Sequence, residues 1–445
     1  MASDLLSIAT SGVKAARLAL DVTAQNIANA SSEGYVRRSL RLEELASSGG
    51  FMRIGDVSLS GVRLDRVVRH ADVFRQAEVR RTGADAVRGA AEVAGLENVQ
   101  TAVEQSNVYP SIVKFEASLQ RLTADPVDPS LRSAVIEAAR TMSRTINIAA
   151  ASLDAAGSGM RFEATDGVSQ VNGLAGELAR VNLRLSRAAD TSSDQTALLD
   201  QRDMLLERMS SFVDVSTTIA ANQTVEVRLG GAAGPQLVTG GTASPLAMST
   251  AADGTISFSL GAGPVALNAG SLAGKAQALV KLADVRSRLD AIAAGIVATV
   301  NAAQAGGAAL DGSAGQPLLA GSDAASIALA FEDGRLIATA PAGAGANSRD
   351  AANLGALQTA LAASDPAGAI DALLFDISGL VAGRTVTRDA LGAIAGNARI
   401  ALSSQAGVNL DSEAANLIRY QQAFQASSKA IQIASNIFDT LLGLR

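Results

Sequence analysis

Residues 410–442, LDSEAANLIRYQQAFQASSKAIQIASNIFDTLL, decide the fold. Leu410, Leu417, Phe424, Ile431 and Phe438 recur every seven residues, and Tyr420, Ala434 and Leu441 fall three positions on. That spacing lays apolar side chains along one seam of an α-helix. Only Arg419, Lys429 and Asp439 are charged between Ala414 and Leu442. Asp411 reads as the N-cap, and Glu413 sits where the helix dipole favours an acid. The opposite end of the chain repeats the pattern. Leu6, Val13, Leu20 and Ile27 are also seven apart, with Ala9, Ala16 and Thr23 between them and only Asp4, Lys14, Arg17 and Asp21 charged before Ala30. A helix of that length is roughly 40 Å long and marginal alone in water. Each terminal helix therefore needs a partner, and the simplest partner is the other one. On periodicity alone, an intramolecular hairpin without further role and a seam used in assembly are equally open.

Between these helices the period changes several times. Asn29-Ala30-Ser31-Ser32-Glu33-Gly34-Tyr35 stops the first helix, because Asn and Gly tolerate the left-handed backbone that ends helices. A polar stretch with alternating Val and Leu runs to about Leu64. Helical spacing follows from Val67 to Gln105, from Ile112 to Leu122, from Leu131 to Ala156, from Arg161 to Ala188 and from Gln195 to Phe212. Pro126 and Pro129 interrupt it, and Ser192, Ser193 and Asp194 are suitable caps. Alternation then appears at Val225, Val227 and Leu229 and at Ile256, Phe258 and Leu260, with Asp253-Gly254 as a hairpin signal. Helical spacing returns at Leu282 and reaches Val300. Ile327, Leu329 and Phe331, leading into Asp333-Gly334, form a second β excursion. Gly343 to Asn347 is a loop, and helices resume near Ala351.

The expected fold is mainly α with inserted β. Long antiparallel terminal helices form a coiled-coil stem from 1–50 and 402–445. A helical-bundle domain takes 51–212, 273–304 and 350–401, a small β-rich insert takes 213–272, and a β/loop excursion takes 305–349.

Composition removes most chemistry. Across 445 residues there is no cysteine and one histidine, and aromatics make up 3%. Thiolate metal sites, disulfides and cysteine nucleophiles are therefore excluded. His70, between Arg69 and Ala71 with no acid nearby in sequence, reads as a surface residue. Net charge is −6 without a Lys/Arg block, so nucleic acid is not an expected partner. No apolar run is long enough to span a bilayer, Ile292 to Val300 being the best, and the first 20 residues lack the pattern of a cleaved signal. Gly270 to Ala276 departs from phosphate-loop spacing. Asp200 and Asp203, flanking Arg202, read as a solvated helix face. No nucleophile, base and oxyanion grouping is recognisable, so neither catalysis nor a cofactor or metal is expected.

Two segments carry a resemblance. Ala24-Gln25-Asn26-Ile27-Ala28-Asn29-Ala30-Ser31-Ser32-Glu33-Gly34-Tyr35 resembles the N-terminal signature of flagellar rod, hook and hook-associated proteins. Val408 to Ala426, VNLDSEAANLIRYQQAFQA, and Asn436 to Leu442 resemble the end of the hook-associated protein 1 family. Leu198 to Leu206, LLDQRDMLL, looks like the helix that precedes the β domain in that family.

The resemblance implies a structural subunit of the bacterial flagellum at the hook–filament junction, supporting motility. It implies secretion unfolded through the flagellar type III apparatus and self-association into a ring. Hook protein would lie below the ring and a second junction protein above it. A cytoplasmic chaperone would hold the C-terminal helix before export, with Leu417, Phe424, Ile431 and Phe438 as its candidate contacts. An unpaired helix with that stripe is aggregation-prone. Leu6, Val13, Leu20, Ile27, Leu410, Leu417, Phe424, Ile431 and Phe438 are the candidate assembly residues. Asn26, Asn29, Gly34 and Tyr35 fix the signature turn. A rod or hook protein of the same family, or a secreted effector borrowing flagellar export, stands as the alternative.

Overall fold

A computed structural model describes residues 2–32, 34–47, 58–188 and 193–443. Glu33 of the signature turn and the cap candidate Ser192 lie outside the described residues. In chain order the helix α1 (Ala2–Ala28) is followed by strands β1 (Arg38–Ser47) and β2 (Ser58–Arg69). Helices α2 (Val73–Glu104), α3 (Val108–Ala124), α4 (Pro129–Leu185) and α5 (Ser193–Ser210) come next. Strands β3 (Val215–Ile219), β4 (Val225–Leu229), β5 (Gln236–Thr239), β6 (Thr242–Ala243), β7 (Leu246–Thr250), β8 (Ile256–Leu260) and β9 (Gly263–Val265) precede α6 (Ser271–Ala305). Four two-residue strands, β10 (Gly307–Ala308), β11 (Leu319–Ala320), β12 (Ala328–Leu329) and β13 (Ala340–Pro341), lead to α7 (Ala352–Ser364), α8 (Pro366–Ala406) and α9 (Leu410–Gly443).

The chain divides into two compact units. The first holds Met1–Gly83, Val171–Pro245 and Gly392–Arg445, and the second holds Ala84–Gln170 and Leu246–Leu391. The stretch expected as one β-rich insert, 213–272, contains two separate sheets. β3-β4-β5-β6 belongs to the first unit and β7-β8-β9 to the second. Val225, Val227 and Leu229 turn inward from β4 and are fully buried, as their alternation predicts. The Asp253-Gly254 signal does form a hairpin, pairing β7 with β8, with Gly254 at φ 82°.

The second unit is built on helices. Asp128 caps α4, its carboxylate accepting from Ser130 and Leu131 N–H at 2.7 and 2.9 Å, with Pro129 in the first position, where its missing N–H costs nothing. α4 then runs 57 residues without a break. The expected stop at Gly157-Ser158-Gly159 does not occur, because a helical glycine costs only about 1 kcal/mol relative to alanine. At Gly157 the bare backbone also lets Leu282 of α6 approach, 3.4 Å from where a Cβ would stand. Gly274, taken from the discarded phosphate-loop pattern, presses α6 against the Arg88 carbonyl of α2, where any side chain would collide.

The 305–349 excursion buries Leu318, Leu319, Ile327 and Ile337 and is also held by polar side chains from the helices. Asn147 donates to the carbonyls of Ala324 and Ala325 at 2.9 and 3.1 Å. Asn301 brackets Leu319, donating at 2.7 Å and accepting at 3.0 Å. Arg132, only 1% exposed, donates to the carbonyls of Pro126, Gly334 and Ile337 and to Thr339 Oγ1 at 2.6–3.0 Å. Asp333-Gly334 makes no hairpin. The Asp333 side chain instead caps a single 3-10 turn at Gly334–Leu336 by accepting from Arg335 N–H.

The expectation of no membrane-length apolar run needs one correction. By length and composition alone, the helical stretch Ala352–Thr440 contains an 18-residue window of mean hydropathy 1.3, with 28% of it buried. One such stretch is weak support for a span.

Candidate assembly site: the terminal stem and its polar node

α1 and α9 pack against each other antiparallel. Gly12 faces Ser427, and Asn26 faces Glu413, so the two pairs run in opposite directions along the chain. In α1 the buried Ala9, Ala16, Ala19, Thr23 and Asn26 follow alternating three- and four-residue steps through Gly12, with Ala15 buried beside them. The seam is therefore made of small side chains. Leu6, at 43% exposure, and the half-buried Val13, Leu20 and Ile27 flank it instead of forming its centre. The heptad period was legible; which of its columns faces α9 was not. A Cβ on Gly12 would stand 2.9 Å from Ser427 Oγ, so small residues let the backbones approach where leucine would hold them apart.

In α9 the inward column is Leu417, Tyr420, Phe424, Ser427 and Ile431, all half-buried, and Ala434, which is 4% exposed. Leu410 and Phe438, at 54% and 53%, are open at the two ends. The remaining faces are not polar. Leu5, Ile8 and Leu18 on α1, and Ile418, Ile433 and Ile437 on α9, are 39–56% exposed. The hairpin β1–β2 lies along α1, fastened where Ser11 Oγ accepts from Val62 N–H at 3.1 Å, with Gly61 (φ 102°) pressed over Ser11. That hairpin was not foreseen, since its alternation is blurred by register shifts between Arg41 and Leu42 and between Glu44 and Ala46.

One end of the stem closes in a polar node. Asn26 spends its whole amide there. Its Nδ2 donates to Arg38 O at 2.8 Å and Glu413 Oε2 at 3.1 Å, and its Oδ1 accepts from Arg38 N–H at 3.0 Å and Tyr35 O–H at 2.9 Å. Glu413, 2% exposed, takes a second donor from Arg37 Nε at 2.8 Å. Helix-dipole placement alone accounts for an acid at that position but not for its burial. The cap of α9 is Asn409, whose Oδ1 accepts from Ser412 N–H at 2.9 Å; Asp411 is not the cap. Gly34 holds φ 76° in the connecting turn, which favours a residue without a Cβ. Asn29 bonds locally, from Nδ2 to Gln25 O at 2.9 Å.

The acids of α5 complete the node. Asp200 accepts from Arg38 at 2.6 Å and Arg69 at 2.7 Å, and Asp203 from Arg69 at 2.8 Å and Arg202 at 2.8 Å. Their expected place on a solvated face is overturned: the side chains are 16% and 10% exposed. Arg38 and Arg69, 162 and 131 residues from Asp200 in sequence, cover them, and no local pattern could have shown that. Burial pushes the Asp203 carboxyl up, but Arg202 and Arg69 outweigh it and hold it below the usual carboxylate range. Burial raises the Tyr35 phenol, helped by Asp200 and Glu413. His70 is half-buried rather than a surface residue, 2.8 Å from Ser39 Oγ across the hairpin. Burial, then Arg37, lowers its pKa. No cluster of three or more potential metal ligands occurs among the described residues. The node can hold backbone segments in one arrangement.

The node gathers Asn26 and Tyr35, Asp200 and Asp203, and Glu413, and these come from the three segments that carried the sequence resemblance. Comparisons with known proteins agree. Residues 6–35 match the flagella basal body rod protein model, and 402–444 match the flagellar basal body rod FlgEFG protein C-terminal model. Flagellar hook-associated protein 1 of Bacillus subtilis (strain 168) is 28% identical over 220 residues, 48% of this chain and 43% of that one. Its counterpart in Salmonella typhimurium is 28% identical over 250 residues, 55% and 44% of the two chains. The matches thus span less than half the length of these curated relatives. The fold is similar to that of the flagellar hook junction protein FlgK from Burkholderia pseudomallei, with TM-score 0.50, 22% identity, and coverage of 55% of this chain and 46% of that one. Residues 93–319, just over half of the 445, match the model of the flagellar hook-associated protein FlgK helical domain, and the chain belongs to that family.

Proposed function

We propose that this protein is a structural subunit of the bacterial flagellum that joins the hook to the filament, without catalytic activity. The observation that carries this reading is the surface of the paired stem. With α1 and α9 already packed, six large aliphatic side chains (Leu5, Ile8, Leu18, Ile418, Ile433 and Ile437) are 39–56% exposed. Large apolar side chains left exposed in number on one element pair mark interaction sites. Self-association into a ring would cover it, with hook protein below and a second junction protein above. Leu6, Val13, Leu20 and Ile27 contribute from the flank of α1. Leu410 and Phe438 contribute from the ends of α9, and Leu417, Phe424 and Ile431 position it.

Before assembly the chain is exported unfolded by the type III route, and a cytoplasmic chaperone covers Leu417, Phe424, Ile431 and Phe438. The protein then resides outside the cell, at the hook–filament junction, and is not inserted in the membrane. Deletion of the gene, followed by electron microscopy and assay of the medium, tests this. Intact hooks, absent filaments and flagellin released to the medium are expected. Normal filaments on the deletion strain overturn it.

A further inference from the structure

A cavity of about 250 Å³ opens in the first unit among the turn after α1, the first part of α2, α5 and the end of α8. Val36, Val79, Met204, Leu402 and Val408 give it an apolar wall. Arg80 also lines it and is 6% exposed. Among the described residues its one hydrogen bond is a long contact of 3.4 Å to Thr217 Oγ1 on β3, and it forms no ion pair. A guanidinium carries five N–H donors, and the Arg80 nitrogens without a partner are not sealed from solvent, which leaves them open to a ligand in the cavity. Burial lowers its pKa.

Asp203 and Glu207 reach the same cavity, but their charges are taken. Asp203 is held by Arg69 and Arg202, and Glu207 by Arg399. Among the described residues Arg80 forms no ion pair, although the nearby Asp203 and Glu207 favour its charged form. We propose that this cavity binds a carboxylate carried on a short aliphatic stem, the carboxylate on the Arg80 fork and the stem against Val79, Met204 and Leu402. The planar fork of arginine matches a carboxylate in two parallel hydrogen bonds. A dianion would bring its second charge against Asp203 and Glu207. The volume falls just below the roughly 300 Å³ at which pockets begin to take drug-sized ligands, so the group must be small. A free monocarboxylic acid and an acidic side chain on another protein segment present the same chemistry.

The full chain, methyl-labelled for NMR, is titrated with butyrate as the free acid and with N-acetyl-glutamate amide as the protein-borne form. Butyramide is the uncharged control. Saturable shifts of the Met204 and Leu402 methyls are expected with a carboxylate and not with butyramide, weakened about tenfold or more, roughly 1.4 kcal/mol, in Arg80→Met. Butyrate binding supports a free acid as sufficient; binding of the capped glutamate alone supports a protein segment as the source. Leu402→Trp, which fills the cavity and leaves Arg80 in place, should abolish binding. It decides the matter if Arg80→Met does not fold by circular dichroism. Absence of saturable shifts with both acids, equal shifts with butyramide, or full binding by Leu402→Trp overturns the site.

Discussion

In the second unit Leu119, Met142, Ile146 and Leu153 are completely buried, while on the stem Leu417, Phe424 and Ile431 keep part of their surface in water. Both regions are helices packed on helices. The core has the large aliphatic residues at its centre and needs nothing further to bury them. The stem has alanine, glycine and threonine at its centre, and its large residues lie on the flanks. Area removed from water stabilises at about 25 cal/mol per Å², so a seam of small residues gains little from each position. The stem must take its specificity from elsewhere, and the polar node at one end supplies it. The core tolerates the Arg132 guanidinium because four of its five N–H donors meet neutral acceptors.

The contrast predicts where substitutions act. The largest effect belongs to the core. Phe115→Ala, at a side chain 1% exposed, should cost about 3–5 kcal/mol and lower the calorimetric unfolding temperature of the second unit. A loss under 1 kcal/mol would mean that this core is no better filled than the stem.

Asn26→Ala removes four hydrogen bonds at once and strands the buried Glu413 with one donor. About 2–3 kcal/mol of stem stability should go. Hydrogen exchange should show faster exchange along α1 and α9, with α3 and α6 unchanged. Uniform acceleration would show that the node stabilises more than the stem.

Gly12→Leu and Phe424→Asp probe the seam itself. Leucine at Gly12 has to displace Ser427 and should cost about 1–3 kcal/mol by overpacking. Aspartate at the half-buried Phe424 should separate the helices by placing a charge beside the small-residue column. In both variants the unfolding of the second unit stays where it was, while assembly on hooks fails in an in vitro reconstitution. Melting of the second unit together with the stem would put Phe424 in an ordinary interior.

The smallest effect is with pH. His70 has a lowered folded pKa, so the unfolded chain binds its proton more readily. Its contribution is complete above about pH 6.5 and declines as the pH falls from there toward the folded value. Asp203 is also lowered. Its contribution holds above the usual carboxylate range near pH 4 and is lost below it. Stem protection factors, with the intrinsic pH dependence of amide exchange divided out, should therefore fall in two steps on acidification, and His70→Asn should remove only the first. A single step below pH 4 in the unmodified protein would remove His70 from the account.

Spacing alone determined a good deal. The period of seven at both ends specified two long, weakly charged helices that each require a partner. Alternation at Val225 to Leu229 and Ile256 to Leu260 specified strands, and Pro126 and Pro129 specified a helix boundary. These follow from local backbone geometry, which side-chain order expresses directly. Tertiary structure decided which column of the α1 heptad faces α9, because alanine and leucine columns both satisfy the period and only the partner's shape selects between them. It decided that Gly157 and Gly159 stay inside one helix, since about 1 kcal/mol of propensity per glycine does not break a helix 57 residues long. It also decided that Asp200 and Asp203 are half-buried ion-pair partners rather than a solvated face, and that Glu413 is buried in an ion pair. A carboxylate's neighbours in sequence say nothing of an arginine that the fold delivers from hundreds of residues away, and Coulomb attraction depends on distance in space alone.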